Sequence, residues 1–141
     1  MAMSMHVDIV SAEDEIFSGT AHMVFAPAEM GEVGIMPSHA PLMTRLKPGE
    51  VRVRQEDGEE EFYFVSGGLL EIQPHTVTIL ADTAERAKDM DEAEALEAKR
   101  RAEEALRDRQ SDFDYARAQA ELAEAAARLR AVQNLRKKLG R

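Results

Sequence analysis

The stretch from Asp89 to Leu139 constrains this chain most. It has no glycine or proline and is filled with Ala, Glu, Leu, Arg and Lys, the residues that favour helix most strongly. One helix is predicted from Asp91 to about Arg109 and a second from about Asp112 to Leu139. Asp91 with Glu94, and Ser111 with Asp114, place a capping oxygen three residues ahead of an acid at each start, and Gly140 follows the end. A break this short between two such helices implies an antiparallel hairpin.

The apolar faces of the hairpin are thin. Tyr115, Ala118, Leu122, Ala125, Leu129 and Val132 recur at three and four, and Ala116, Ala120, Ala123 and Ala127 form a smooth row beside them. The first helix offers Ala95, Ala98, Ala102, Ala105 and Leu106. Burying a CH2 contributes roughly 0.8 kcal/mol and burying a whole Leu roughly 1.5–3 kcal/mol. An alanine seam therefore allows close approach with weak attachment. The expected hairpin folds readily and can leave its docking surface at modest cost; a permanently docked appendage is the alternative that these residues leave open.

Upstream the periodicity is that of strands. Residues 4–10 alternate around Met5, Val7 and Ile9, Ser18-Gly19 marks a turn, and residues 20–27 alternate again until Pro27 ends the run. Met30 to Ile35 and Leu42 to Leu46 read as short strands separated by the loop Pro37 to Pro41, and Pro48-Gly49 is a turn. Glu50 to Gln55 sets Val51 and Val53 on one face and Arg52 and Arg54 on the other. Asp57-Gly58 is the strongest hairpin turn, with Glu61 to Val65 as the returning strand. Ser66-Gly67-Gly68 breaks that strand, and Leu69 to Gln73 pairs with Thr76 to Ala81 across Pro74-His75. From Ala84 the period becomes helical. The fold class is α+β, an N-terminal antiparallel β-sandwich or barrel (1–86) followed by a C-terminal two-helix antiparallel hairpin (87–141).

Charge divides along the same line. Residues 1–87 carry 5 basic and 15 acidic residues, a net −10; residues 88–141 carry 13 and 12, a net +1. The acidic first part disfavours nucleic acid. Residues 125–141 hold Arg128, Arg130, Arg136, Lys137, Lys138 and Arg141 and no acid. Such a basic end either complements the helix dipole or seeks an acidic protein surface. The absence of cysteine excludes disulfides and thiolate metal sites and suits a reducing compartment. No signal-peptide pattern and no apolar run near ~20 residues occurs, so a soluble or peripheral protein with no membrane span is expected.

Little in the chain looks catalytic. His6, His22, His39 and His75 form no spaced metal signature, and no phosphate-binding, nucleophile-elbow or dinucleotide motif is present. Glu59-Glu60-Glu61 reads as a solvated edge that discourages pairing. Two segments suit protein contact. One is the acidic turn Glu29-Met30-Gly31-Glu32; the other is Gly34 to Leu42, where two prolines fix φ, although a simple crossover between strands explains the second better when it is taken alone.

Four stretches then carry a resemblance: Gly31 to Leu42 (GEVGIMPSHAPL), Ser66 to Glu71 (SGGLLE), Val77 to Arg86 (VTILADTAER) and Glu97 to Glu103 (EAKRRAE). Together, and over essentially the whole chain, they resemble the epsilon subunits of bacterial F-type ATP synthases. The resemblance implies a non-catalytic rotor subunit that couples proton translocation to ATP synthesis. The sandwich of such a subunit binds the foot of the gamma stalk and the c-subunit ring, on the cytoplasmic face of the inner membrane. Met30, Gly31 and Glu32 would face the ring and His39 the stalk. The hairpin would either lie on the sandwich or extend into the alpha/beta catalytic head and block hydrolysis, with Arg109, Arg128, Arg130, Arg136, Lys137 and Lys138 toward an acidic motif there; neutralising the cations from Arg128 on together is then expected to relieve the inhibition. Some members bind ATP at the first helix, and Glu85, Asp91, Arg101 and Arg128 are left as the candidate ligands here. The arginine expected at residue 94 is Glu94. An acid repels a polyphosphate and lacks the guanidinium fork, so weak or absent ATP binding, and no cofactor, is expected. A nucleotide-sensing module and a static scaffold are the competing readings.

Overall fold

A computed structural model of the protein describes residues 3–108 and 112–139. Ten strands precede the helices: β1 Met5–Val10, β2 Glu15–Ala21, β3 Met23–Ala28, β4 Gly31–Ile35, β5 Leu42–Leu46, β6 Gly49–Arg54, β7 Glu60–Val65, β8 Gly68–Ile72, β9 Thr76–Ala81 and β10 Ala84–Arg86. A 3-10 turn, Ala87–Asp89, leads into α1 (Glu92–Arg107) and α2 (Asp112–Leu139).

The strands run in the order β10-β7-β6-β3-β5-β8-β9-β1-β2, with β4 paired to β3. Pairing is antiparallel except between β1 and β9, which is parallel. The two ends of this order nearly meet, and the Arg86 guanidinium of β10 donates to the Ile16 carbonyl of β2 at 2.6 Å. The sheet thus wraps into a nearly closed sandwich. Its core is one cluster that includes Val7, Ile9, Val24, Val51, Leu70 and Ile79, all fully buried. Every residue of that cluster lies between Met5 and Ala84.

Alternation placed most strands correctly. In β6, Val51 and Val53 are wholly buried while Arg52 and Arg54 point outward, where Arg52 lies 4.1 Å from the centre of the Phe25 ring. Asp57-Gly58 makes the β6–β7 turn, with Gly58 at φ 87°, and the Gln73 and Thr76 backbones bond reciprocally across Pro74-His75.

Four expectations need correction. Ser18-Gly19 is not a turn: β2 runs straight through it, with Gly19 opposite Val7. The glycine is there because the Phe17 ring fills the space above it, 3.2 Å from where a Cβ would stand. The real turn is upstream, where the Ser11 amide donates to the Asp14 carbonyl at 2.9 Å. The run expected over 20–27 breaks at His22, and Pro27 does not end it, because β3 continues to Ala28 with Pro27 opposite Glu32. Residues 84–86 are strand rather than helix, pairing with β7.

The helices start and stop as their chemistry dictates. The Asp91 carboxylate accepts from the Ala93 amide (2.9 Å) and the Glu94 amide (3.4 Å), capping α1. Ser111, the expected cap of α2, lies outside the described residues, as does Gly140. The two helices pack on one another, and α2 also lies against β6, β7 and the 3-10 turn. No helix among the described residues is long and apolar enough to cross a membrane.

Candidate functional site

The seam between α2 and the sandwich joins the two parts of the chain. Of the seven-residue repeat on α2, Ala118, Ala125, Leu129 and Val132 are buried, and Tyr115 and Leu122 are half-buried. On α1 only Ala95 and Ala102 are buried; Ala98 and Leu106 are half-buried and Ala105 is exposed. The smooth alanine row is mostly open: Ala116, Ala120 and Ala123 are exposed, and only Ala127 is buried.

Ala127 and Ala131 sit on Phe64 of β7, flanked by Met90, in a small cluster separate from the main core. Phe64 was not singled out in the sequence, yet its signal is there. Phe62, Tyr63 and Phe64 are consecutive in a strand, so both faces of β7 are aromatic. A strand apolar on both faces must be covered on both faces. Tyr63 looks into the core and Phe64 lies under the hairpin. Burial pushes the Tyr63 hydroxyl well above its ordinary pKa, and it donates to Glu61.

Around this apolar seat the contacts are ionic. Arg128 pairs with Glu85 of β10, its guanidinium 5.1 Å from the Phe64 ring centre. Farther along α2 the Asn134 amide donates to Glu50 of β6 at 3.2 Å. Burial raises the Glu50 pKa, and the bond from Asn134 and the charge of Arg52 oppose that rise. Lys138 reaches Glu60 of β7 at 2.6 Å and lies 5.3 Å from the Phe62 ring centre. The Glu60 carboxylate also accepts from Arg54 at 3.1 and 3.2 Å. The Lys138 bond holds its pKa below the ordinary carboxylate value. The expected solvated edge is therefore wrong for Glu60, whose side chain is 13% exposed and held by Arg54 and Lys138.

The basic end divides accordingly. Arg128 and Lys138 are held by sandwich acids and Arg136 by Glu92 of α1 at 2.5 Å. Arg130 and Lys137 are exposed, and among the described residues neither makes an ion pair. Arg109 lies outside the described residues.

The candidate nucleotide residues are only partly gathered. Arg101 and Arg128 line a cavity of about 330 Å³ between the helices, together with Glu121 and Glu124. Two cations there face two acids. Glu85 is engaged with Arg128, and Asp91 is occupied in capping α1.

The two segments expected to contact protein lie on the sandwich. Met30, 95% exposed, sits at the β3–β4 turn; Gly31 follows at φ 137°, and Glu32 pairs with Arg52 at 3.4 Å. Between β4 and β5, Ser38 adopts φ 69°, its amide donating to the Pro74 carbonyl at 2.8 Å. The half-buried His39 donates from Nδ1 to the Ala40 carbonyl at 2.6 Å. On the opposite end of the sheet order His6, Asp8 and Ser18 meet, but the Ser18 hydroxyl donates to Asp8 at 2.8 Å rather than to His6. That geometry does not activate a nucleophile.

Comparison with known proteins agrees with this architecture. The family model for the β-sandwich domain of the ATP synthase delta/epsilon chain matches residues 4–87, and the model for its long α-helix domain matches residues 88–133. The ATP synthase epsilon chain of Nitrosococcus oceani is 74% identical over 140 residues, covering 99% of this chain and 100% of that protein. The epsilon chain of Thioalkalivibrio sulfidiphilus is 70% identical over 138 residues, covering 97% and 98%. Among solved structures, a chain of the Euglena gracilis mitochondrial ATP synthase (OSCP/F1/c-ring) superposes with a TM-score of 0.75 at 17% identity, covering 96% of this chain and 81% of that one. A chain of the Tetrahymena thermophila central stalk/c-ring structure gives 0.66 at 13% identity, covering 92% and 97%. Those two likenesses speak to the fold alone. With both family models matched in order and relatives this similar over their full length, the chain belongs to the family of ATP synthase epsilon chains, non-catalytic subunits of the ATP synthase complex.

Proposed function

We propose that the sandwich (1–86) holds this subunit to the gamma stalk and the c-subunit ring, on the cytoplasmic face of a bacterial inner membrane, so that it turns with the rotor and couples proton flow to synthesis. The hairpin (87–141) is its regulatory arm. Docked, it leaves the catalytic head alone; extended, it enters the alpha/beta head and blocks hydrolysis. Met30, Gly31 and Glu32 suit the ring contact, because they form a protruding turn with one fully exposed apolar side chain. His39 suits the stalk contact, in a segment shaped by two prolines and a left-handed Ser38.

One observation supports this reading above the rest. The arm rests on the sandwich through a small seat, Ala127 and Ala131 on Phe64 with Leu135 beside Phe62, and its other holds are ion pairs, two cation–π contacts and a single amide bond. Burying two alanine methyls and the Phe64 ring contributes roughly 3–5 kcal/mol, and partly exposed ion pairs about 0–1 kcal/mol each. Reversing a 1:99 equilibrium to 99:1 takes about 5.5 kcal/mol of differential binding, a scale that a protein partner can supply.

The charge contacts to the head are best tested on Arg130 and Lys137, which lie outside the docked ion pairs. Arg130→Gln with Lys137→Gln is expected to raise ATP hydrolysis by the assembled complex about fivefold, the sum of two modest charge contacts. Hydrolysis unchanged in that variant would remove Arg130 and Lys137 from the inhibitory contact.

ATP plays little part in this scheme. The cavity bearing Arg101 and Arg128 has no surplus positive charge, and Glu94 replaces the phosphate-binding arginine. Calorimetry on the full chain is expected to show no micromolar affinity for ATP; a micromolar Kd would restore the nucleotide-sensing reading.

A further inference from the structure

The side chains that α2 presents to the sandwich change character along its length. Ala127, Ala131, Asn134 and Lys138 follow one another at four, three and four residues, and so share one face. The first two meet Phe64, the third meets Glu50 and the fourth meets Glu60. The seat is apolar at its centre, and toward the C-terminal end of the arm its hydrogen bonds go to two acids, Glu50 and Glu60.

We infer that Glu60 is the keeper of an electrostatic latch: it holds the last turn of α2 independently of the Phe64 seat and thereby sets how much of the arm is free. This rests on the reading of the hairpin as a releasable arm. Glu60 is built for the task. Its neighbour Arg54, on the paired strand β6, fixes one carboxylate oxygen with two hydrogen bonds. The other oxygen is thus aimed at Lys138, 2.6 Å away. The Phe62 ring beneath Lys138 adds a cation–π contact. The receiving half is held in place, because Glu60 is paired in the ladder with Arg54 of β6 and its side chain is 13% exposed. The arriving half is a flexible ammonium on the last turn of a helix, 38% exposed and open to exchange.

Glu50 beside it does not substitute. Its partner on α2 is a neutral amide, and its carboxylate is partly desolvated. The arm therefore opens from Lys138 inward, and salt or a competing acidic protein surface acts first on that pair.

The chain has no cysteine, so Glu56→Cys and Gln133→Cys, both at exposed positions, can carry a pair of spin labels for pulsed distance measurement on the full chain. Glu60→Gln and Lys138→Gln are each expected to raise the ratio of released to docked arm about fivefold. The double variant should do no more than either alone, and Lys138→Arg should stay near the parent. Raising KCl from about 0.05 to 0.5 M should release the parent arm and barely move Glu60→Gln. Additive single effects, or no effect of Glu60→Gln, would overturn the latch. Phe64→Ala separates the two ideas: if it frees the arm while Glu60→Gln does not, only the latch fails; an arm seated in every variant sinks both.

Discussion

Gly68→Ala is expected to abolish folding of the sandwich, a loss exceeding about 4 kcal/mol. Gly68 opens β8 with φ 136°, a conformation closed to ordinary L side chains. It stands opposite Ala81 of β9 and Leu46 of β5. A methyl there would lie 2.9 Å from the Ala81 Cα and nearer still to the Leu80 carbonyl oxygen. Both obstacles are backbone, so relief would require separating β8 from β9. That pair carries Leu70, Ile72, Val77 and Ile79 into the core, all buried. Gly58→Ala is the contrast. Its φ of 87° is also left-handed, but a Cβ there meets nothing within 4 Å, so only the conformational strain of about 1 kcal/mol remains. Denaturant unfolding followed by far-UV circular dichroism checks both. A Gly68→Ala chain that unfolds within about 1 kcal/mol of the parent would show that the β8–β9 pairing is not as tight as described.

How much of this was legible beforehand depended on the range of the cause. Val51 and Val53 alternate with Arg52 and Arg54, so β6 was visible locally, and the Asp91 cap fixed the start of α1 within a residue. Ser18-Gly19 misled because the reason for its glycine is the Phe17 ring lying over it, a packing fact rather than a turn preference. β10 escaped notice because three residues are too few for a period, and its partner is Val65 to Tyr63, about twenty residues away. The exposed turn at Met30 and the proline-shaped segment at His39 could be located because their turn residues are local. The docking seam could not, because each of its contacts joins distant parts of the chain. Lys138 finds Glu60 and Asn134 finds Glu50 across about eighty residues, so the basic end read only as a dipole complement or a partner surface. The doubly aromatic β7 was the one clue that something covers the outer face of the sandwich.

The largest functional effect is expected from removing the arm altogether. The main core contains no helix residue, so a chain ending at residue 87 keeps the sandwich interior and both protein-contact segments. It loses only the cover over Phe62 and Phe64 and the partners of Glu50, Glu60 and Glu85. Assembly into the complex should therefore persist, while the element proposed to enter the catalytic head is gone. The proposed rotor attachment and the proposed brake lie on different parts of the chain, and truncation separates them.

The decisive measurement is the ATP hydrolysis rate of the purified complex assembled with the full chain and with residues 88–141 removed. Hydrolysis about tenfold faster without the arm, equivalent to about 1.4 kcal/mol of barrier, with the truncated subunit still present at full occupancy, is the predicted result. Equal rates at equal occupancy would contradict the account and leave the hairpin a fixed structural appendage.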